Sequence, residues 1–212
     1  PSPLFPSPPK GFILLLTWGL FWGFVFPTYY TVWAAAVSAA LCSSSVVTLV
    51  VCAMLDPGIL PRQLPTPGAE NMSIETQRRL NYCVTCHIVR PPRTKHCRHC
   101  NNCTINFDHH CPWTGNCVGK RNYRWFFFFI SSVTLGSGFV CALSLLQIAA
   151  RYHQGPQLSI LEAPTMVVGS EYVSPILALW CLVVFLLVGS LLLFHIYLQT
   201  RGQTTNEYLR GE

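Results

Sequence analysis

Four long stretches without a charged side chain constrain the fold of this 212-residue chain more than any other feature. Asp, Glu, Lys and Arg are absent from Phe12–Tyr30, Val32–Leu55, Trp125–Ala150 and Val173–Leu198. Each stretch meets the roughly 17–25 apolar residues that a helix needs to cross a bilayer. Charged residues make up 10% of the chain, against roughly 25% in soluble domains, so a charged outer surface could not cover four such helices. The sequence therefore predicts an all-α polytopic membrane protein with four transmembrane helices.

The first apolar stretch has the position of a signal peptide but lacks its features. It follows a proline-rich start, PSPLFPSPPK, and no small-residue cleavage pattern comes after it. It is also longer than the usual apolar region of a signal peptide. We therefore expect it to be retained as the first transmembrane helix.

The distribution of basic residues predicts the orientation in the membrane. All fourteen Lys and Arg except Arg151 lie in the N-terminal tail, in segment 56–124 or in the C-terminal tail. Cytosolic loops carry the excess of such residues in membrane proteins. Both termini and segment 56–124 are therefore predicted to be cytosolic.

Segment 56–124 is strongly basic, with ten Lys and Arg against four Asp and Glu. A basic surface near a membrane binds anionic lipid headgroups, which is the simplest interpretation. It can equally bind a phosphate-bearing ligand. Nucleic acid is not expected as a partner, because a basic segment between two membrane helices is a common feature of membrane topology.

The same segment is dense in cysteine, with seven of the chain's eleven cysteines between Cys83 and Cys117. A cytosolic location argues against disulfides and favours metal binding or catalysis. Cys83 and Cys86 form a C-x2-C pair, and Cys97, Cys100 and Cys103 repeat that spacing. A tight turn with this spacing places two thiolates on one tetrahedral ion. The sequence therefore predicts a module with two zinc sites between the second and third helices.

Ligand counting leaves one cysteine over. Two sites of three cysteines and one histidine use six thiolates, so either Cys111 or Cys117 is spare. In an extended DHHC stretch, alternate side chains share a face, which places His109 beside Cys111. A cysteine beside an imidazole is the arrangement of an activated nucleophile. The alternative is that Cys111 is a further metal ligand.

Here the complete motif resembles the cysteine-rich domain of the DHHC protein S-acyltransferases. The matching residues are Cys83-x2-Cys86-x9-His96-Cys97-x2-Cys100-x2-Cys103-x4-Asp108-His109-His110-Cys111-x5-Cys117-x4-Asn122. The sequence DPG (Asp56–Gly58) and the sequence TTNE (Thr204–Glu207), which also has the chemistry of a helix cap, match two further motifs of the family. The four-helix topology is similar as well.

The resemblance implies two interleaved structural zinc sites. The ligands of the first would be Cys83, Cys86, His96 and Cys103, and those of the second Cys97, Cys100, His110 and Cys117. It also implies that Cys111 is the nucleophile, His109 the base and Asp108 the group that orients this base. The reaction would move a long-chain acyl group, such as palmitoyl, from acyl-CoA to Cys111 and then to a cysteine of a substrate protein. A zinc-module membrane adaptor and a Cys–His acyl-thioesterase are the alternatives.

The resemblance further implies partners for this reaction. Arg90 and Lys95, at basic positions before the DHHC core, would contact CoA, although lipid contact explains them equally well. DPGILPR, CVGKRNYR and QTTNE are most similar to the Ras-acylating subgroup of the family. This similarity implies Ras-type GTPases as substrates, a small accessory subunit and an endomembrane location in the Golgi or endoplasmic reticulum.

The resulting domain organisation has five parts. Residues 1–55 hold the N-terminal tail and helices one and two, and residues 56–80 form a cytosolic linker. Residues 81–122 form the zinc-binding catalytic domain. Residues 123–200 hold helices three and four, and residues 201–212 form a cytosolic tail with the TTxE motif. Cysteines within the helices are expected to pack as small apolar residues, and His195 is expected to make a polar contact between helices.

Overall fold

A computed structural model describes residues 11–29, 31–65, 72–154 and 165–211. The α-helices in this part of the chain are α1 (Phe12–Leu20), α2 (Val32–Met54), α3 (Ile74–Arg79), α4 (Tyr123–Gln154), α5 (Thr165–Arg201) and α6 (Thr205–Arg210). The short strands are β1 (Ile59–Leu60), β2 (Tyr82–Cys83), β3 (Ile88–Val89), β4 (Lys95–Cys97), β5 (Asn102–Thr104), β6 (His109–Cys111) and β7 (Asn116–Val118). The fold is therefore mostly helical, as predicted, with short strands added between residues 59 and 118.

Three helices within the described residues are long and apolar enough to cross a membrane. They span Val32–Met54, Tyr123–His153 and Tyr172–Arg201. Three of the four predicted spans are thus confirmed as helices of sufficient length, and the chain is a membrane protein. The remaining one, Phe12–Val25, is a shorter apolar helix whose last five residues form a π-helical turn.

The chain divides into two compact units, Pro1–Thr48 with Phe128–Leu193, and Leu49–Phe127 with Phe194–Glu212. The core of the first unit is built from aromatic and small side chains. Trp18 and Phe21 pack edge to face with ring centroids 5.8 Å apart. A Cβ on Gly136 would lie 3.1 Å from the Trp18 ring, so glycine permits this close approach. Cys141 and Cys181 are buried in the same core, as expected for small apolar side chains.

The first unit also contains a buried polar contact. The Gln147 side-chain nitrogen donates to the carbonyl of Phe24 at 3.4 Å, and Ser174 donates to the Gln147 side-chain oxygen. Phe24 lies in the π-helical turn, where the regular α-helical hydrogen-bond pattern is interrupted. Because hydrocarbon offers no hydrogen bonds, side-chain donors stabilise such a carbonyl.

The second unit contains three β-hairpins with one shared register. Their closing pairs are Cys83 with Ile88, Cys97 with Asn102, and Cys111 with Asn116. Each connecting turn ends on a residue whose backbone has the left-handed conformation. These residues are His87 (φ 54°), Asn101 (φ 52°) and Gly115 (φ 65°). Each hairpin therefore begins its turn with a cysteine at the end of a strand.

Two short helices of the second unit begin with side-chain caps. The Ser73 hydroxyl accepts a hydrogen bond from the backbone N–H of Thr76 at the start of α3. Thr204 and Glu207 form a complete capping box at the start of α6. This box confirms that the TTNE sequence caps a helix.

Candidate active site

The first metal-ligand cluster lies around His96 in the second unit. The Sγ atoms of Cys83, Cys86 and Cys103 lie 3.6, 3.4 and 3.7 Å from Nδ1 of His96. Two ligands of one tetrahedral zinc, at usual Zn–S and Zn–N lengths, lie about 3.6 Å apart. The three thiols and the imidazole therefore fit one zinc ion.

The second cluster consists of Cys97, Cys100, His110 and Cys117. The Cys100 Sγ atom lies 3.3 Å from Nδ1 of His110 and 3.4 Å from Sγ of Cys117. All four potential ligand atoms lie within 4.8 Å of one another. Donor chemistry and spacing again fit tetrahedral zinc. The structure thus brings together the two ligand sets implied by the resemblance.

Strand β4 contributes one ligand to each cluster. His96 and Cys97 are neighbours in sequence, and side chains of neighbouring strand residues point to opposite faces. His96 consequently belongs to the first cluster and Cys97 to the second. The two clusters therefore share a β-ladder.

Cys111 lies outside both clusters, at the end of β6. It is buried and hydrogen-bonded to the His109 side chain. Nδ1 of His109 lies 2.7 Å from Oδ2 of Asp108. The extended backbone places His109 and Cys111 together while His110 joins a metal cluster, as predicted from the alternation of side chains.

These contacts shift the pKa values of the three groups. Burial alone would raise the pKa of the Cys111 thiol, but hydrogen bonds from His109 and from the Thr114 backbone outweigh it and lower this pKa. Burial lowers the pKa of His109, yet hydrogen bonds with Asp108 and Cys111 prevail and raise it to about 9. Burial raises the pKa of Asp108, but hydrogen bonds from His109 and Thr205 lower it overall. The arrangement favours a thiolate beside an imidazolium.

The second carboxylate oxygen of Asp108 contacts α6. The backbone N–H of Thr205 donates to Oδ1 of Asp108 at 2.8 Å. Glu207 of the capping box pairs with Arg93, whose Nε and Nη2 lie 2.6 and 2.8 Å from the two carboxylate oxygens. Arg93 also donates to the carbonyl of Gly202. Arg93 and Glu207 therefore brace the helix that supports Asp108.

Two asparagines attach the Cys111 hairpin to the end of α2. The Asn116 side-chain nitrogen donates to the carbonyls of Ala53 and Leu55 at 3.1 and 3.0 Å. The Asn122 side-chain nitrogen donates to the carbonyls of Cys52 and Cys117 at 3.3 and 2.8 Å. The last carbonyls of a helix have no partner within it, so these side chains satisfy them and position the hairpin.

The DPG turn follows directly after α2. The Asp56 carboxylate accepts from the backbone N–H groups of Gly58 and Ile59 at 2.8 Å and pairs with Arg121. These bonds, led by that from Ile59, lower the pKa of Asp56. The turn thereby connects α2 to the segment that follows the hairpin.

A cluster of rings surrounds His109. The Phe126 ring packs edge to face against His109 and against His195, with centroids 4.9 and 5.0 Å away. Nδ1 of His195 lies 3.0 Å from the Tyr123 hydroxyl, which confirms the predicted polar contact between helices. Asp108, His109 and His195 are also close enough to share a metal. However, Nδ1 of His109 is hydrogen-bonded to Asp108, and Nδ1 of His195 is hydrogen-bonded to Tyr123. We therefore interpret this group as a hydrogen-bond network.

The two predicted CoA contacts lie on the same module. Arg90 is half-buried, and its Nε donates to the carbonyl of Asn81 at 3.1 Å. Lys95 is half-buried in β4, opposite Thr104. Trp113, in the turn after Cys111, is 57% exposed. The proposed role of Arg90 and Lys95 in binding CoA stays a prediction.

Sequence reasoning missed several residues that support the site, chiefly Arg93, Asn116, Tyr123 and Phe126. The position of Asn116 was predictable from the sequence. In the other two hairpins a cysteine pairs with the residue five positions later, and the same register pairs Cys111 with Asn116. The role of Arg93 was not predictable, because its partner Glu207 is 114 residues away in the chain.

Fold and site together define a class of protein. It is a membrane protein in which a module with two sets of three cysteines and one histidine presents a separate Cys–His–Asp group. The DHHC palmitoyltransferase family model matches residues 76–212.

Curated relatives agree with this match. Palmitoyltransferase ZDHHC18-A of Danio rerio is 36% identical over 225 residues, which cover 94% of this chain and 46% of the relative. Palmitoyltransferase ZDHHC14 of Homo sapiens is 36% identical over 227 residues, which cover 94% of this chain and 45% of the relative. Palmitoyltransferase ZDHHC9 of Homo sapiens is 38% identical over 199 residues, which cover 82% of this chain and 52% of the relative.

The chain belongs to the DHHC palmitoyltransferase family. It spans about half the length of the curated relatives it matches.

Proposed function

We propose that the chain is a protein S-acyltransferase that moves a long-chain acyl group from acyl-CoA to cysteines of substrate proteins. One observation carries this proposal: Cys111 is outside both metal clusters and is hydrogen-bonded to His109, whose other nitrogen faces Asp108. A buried thiol with such a partner is an activated nucleophile. Family membership supplies the class of reaction.

In the first step, the Cys111 thiolate attacks the thioester carbon of acyl-CoA. The new bond joins Sγ of Cys111 to the acyl carbon, and the bond from that carbon to the sulfur of CoA breaks. His109 has taken the thiol proton and gives it to the departing CoA thiolate. Asp108 holds the His109 ring in place through Nδ1.

In the second step, the thiol of a substrate cysteine attacks the acyl-enzyme. His109 accepts the proton of this thiol, the new thioester forms, and the electron pair of the broken bond returns to Sγ of Cys111. One thioester replaces another, so orientation of the reactants and exclusion of water are the main tasks of the protein.

We assign a structural role to two zinc ions. Cys83, Cys86, His96 and Cys103 would hold one, and Cys97, Cys100, His110 and Cys117 the other. Four protein donors fill a tetrahedral ion, so these ions would stabilise the fold of the module. The module itself is assigned to residues 81–122, after a linker at 56–80.

We further propose four transmembrane helices, at 1–55 and 123–200, with both termini and the module on the cytosolic side. The helical course from Phe12 to Tyr29, with its π-helical and 3-10 turns, supports a first span that is complete but irregular. The cytosolic tail at 201–212 carries the TTNE sequence. An endomembrane location, in the Golgi or endoplasmic reticulum, follows from the resemblance to the family.

The proposed donor and substrates follow from charge and motif. The phosphates of CoA would lie against the basic module, with Arg90 and Lys95 as contacts, while membrane lipids surround the helices. Membrane-proximal cysteines of Ras-type GTPases are the proposed substrates, with a small accessory subunit as partner. The support is the similarity of DPGILPR, CVGKRNYR and QTTNE to the Ras-acylating subgroup.

The test is incubation of the purified chain with labelled palmitoyl-CoA, followed by capture with a cysteine peptide. We expect label on the wild type, none on Cys111→Ser, and wild-type label on Cys181→Ser, which alters another buried cysteine. Label on Cys111→Ser, or none on the wild type, would contradict the proposal. Label released only to water would indicate a thioesterase.

A further inference from the structure

His195 is a buried histidine that the proposed acyl transfer does not use. It lies near the end of α5, with 1% of its surface exposed. Its Nδ1 atom lies 3.0 Å from the hydroxyl of Tyr123, at the start of α4. One oxygen of Asp108, one ring nitrogen of His109 and one ring nitrogen of His195 all lie within 4.8 Å of one another. His195 therefore faces the two side chains that act on the Cys111 thiol.

The rings of His195, Phe126 and His109 form a packed group of three. Phe126 packs edge to face against each imidazole, with centroids 4.9 Å from His109 and 5.0 Å from His195. The centroids of the two imidazoles are 6.0 Å apart. Phe126 is 2% exposed and shares a face of α4 with Tyr123, three residues earlier. Each ring of the group thus contacts the other two, and Tyr123 anchors the group through His195.

The orientation of the His109 ring matters in both steps of the reaction. The torsion that turns an imidazole about its Cβ–Cγ bond has a broad range, and the hydrogen bond with Asp108 holds only one edge of the ring. Packing against Phe126 and His195 restricts the remaining freedom. We propose that His195 is a positioning residue. Anchored by Tyr123, it keeps the imidazole of His109 aligned for proton transfer.

This inference deepens the proposed acyl transfer and rests on it. His109 takes a proton from one thiol and gives it to another, and a small displacement of such a group lowers the rate steeply. Asp108 accepts from the backbone N–H of Thr205, shortly after α5. His109 packs against His195 within α5. The end of α5 therefore positions both the base and the carboxylate that orients this base.

Two phenylalanine substitutions break the anchor from opposite sides. Tyr123→Phe removes only the hydroxyl, and His195→Phe keeps a flat ring but lacks the nitrogen that pairs with this hydroxyl. The zinc-loaded chain is mixed with labelled palmitoyl-CoA, and the rate at which label appears on the protein is measured at increasing concentrations of the donor. We expect each variant to lower the maximal rate about tenfold. The palmitoyl-CoA concentration for half-maximal rate should not change.

The double variant Tyr123→Phe/His195→Phe distinguishes alignment from stability. Both partners of a buried hydrogen bond can be replaced by apolar groups at little cost in stability, so a purely structural role predicts that the double variant regains the wild-type rate. Loss of alignment predicts a maximal rate about as low as in either single variant, because both substitutions break one interaction. Tyr152→Phe, which removes an exposed hydroxyl of α4, is the control and should keep the wild-type rate.

Zinc content completes the test. Two zinc ions per chain in every variant, with a lowered maximal rate in both single variants and in the double variant, would support the proposal. A wild-type maximal rate in Tyr123→Phe or in the double variant, a higher half-maximal concentration in place of a lower rate, or zinc loss that accompanies the slowing would overturn it. A wild-type chain that never acquires label would overturn the proposed function and this inference together, whereas normal labelling of the wild type and of all variants would overturn this inference alone.

Discussion

At the scale of single residues, the surroundings of a cysteine decide its chemistry. Cys117 and Cys111 lie on paired strands of one hairpin, yet Cys117 faces Cys100 in a metal cluster and Cys111 faces His109. In the ladder Cys117 pairs with His110, the residue next to Cys111. The face of β6 that Cys111 occupies therefore places its thiol beside an imidazole and outside the metal clusters.

The lowered pKa of Cys111 predicts the pH dependence of its alkylation. Thiolate, the reactive form, is lost as the pH falls through this pKa, which lies below the ordinary value of 9.0. His109→Ala removes a hydrogen bond that lowers the pKa, so the loss should occur at higher pH. At pH 7.5 the rate with iodoacetamide should fall about tenfold, because a smaller fraction of the thiol is then ionised.

Mass spectrometry of the Cys111 peptide across pH 5 to 10 measures this rate. His153→Ala changes an exposed histidine in α4 and should leave the profile unchanged. Identical midpoints for the wild type and His109→Ala would show that the imidazole does not control the thiol.

Local contacts of the site were predictable, and distant ones were not. His109, His110 and Cys111 are consecutive, so strand alternation alone places His109 beside Cys111 and His110 on the opposite face. The bond from Thr205 to Asp108 joins residues 97 positions apart. Such a contact depends on where α5 ends in space, which no pattern of hydrophobicity specifies.

At the scale of elements, α6 is a short helix held in place by its first turn. The capping box orients Glu207, which forms an ion pair with Arg93. The backbone N–H of Thr205, in the first turn, donates to Asp108. Helices this short are marginal in isolation. Their order in the protein therefore depends on these tertiary contacts.

Removal of either partner of the ion pair between Arg93 and Glu207 should make α6 less stable. For Arg93→Ala and Glu207→Gln we expect amide exchange in residues 203–211 to rise about fivefold, corresponding to roughly 1 kcal/mol for a partly exposed ion pair. Hydrogen–deuterium exchange with mass spectrometry measures it. The two variants should have similar effects, because the amide oxygen introduced by Glu207→Gln can still accept from the backbone N–H of Thr204, and each variant therefore loses mainly the ion pair.

Arg98→Ala, at another exposed arginine of the module, is the matched control. Unchanged exchange in Arg93→Ala would mean that the capping box alone holds α6. The ion pair would then contribute nothing to the position of Asp108.

The elements themselves were predicted unevenly. Long uncharged stretches identified α2, α4 and α5, because a bilayer demands length and apolarity. The π-helical turn at Phe21–Val25 and its Gln147 partner gave no pattern to find. The hairpins were hidden because strands of two or three residues are too short to show a period of two.

At the scale of the whole molecule, the two clusters of cysteine and histidine share one β-ladder. In the ladder of β4 and β5, His96 pairs with Cys103 of the first cluster, and Cys97 of the second pairs with Asn102. Loss of one ion should loosen the ladder that presents ligands to the other.

We therefore expect that removal of one ligand will cost more than one zinc ion. Cys103→Ser and Cys100→Ser should each hold fewer than one ion per chain, and both should lose acyl labelling of Cys111. Cys141→Ser, in the first unit, should keep two ions. Elemental analysis of the purified chains gives the count. A steady content of one ion in either ligand variant would show that the clusters load separately.

The contact between Asp108 and Thr205 also has a consequence for biosynthesis. A ribosome makes all eight cluster ligands, His109 and Cys111 before it makes α5, and Thr205 follows only after that helix. These residues are thus complete while one oxygen of Asp108 still lacks its backbone donor. The order of translation consequently makes the synthesis of α5 and α6 the step that completes the surroundings of this carboxylate.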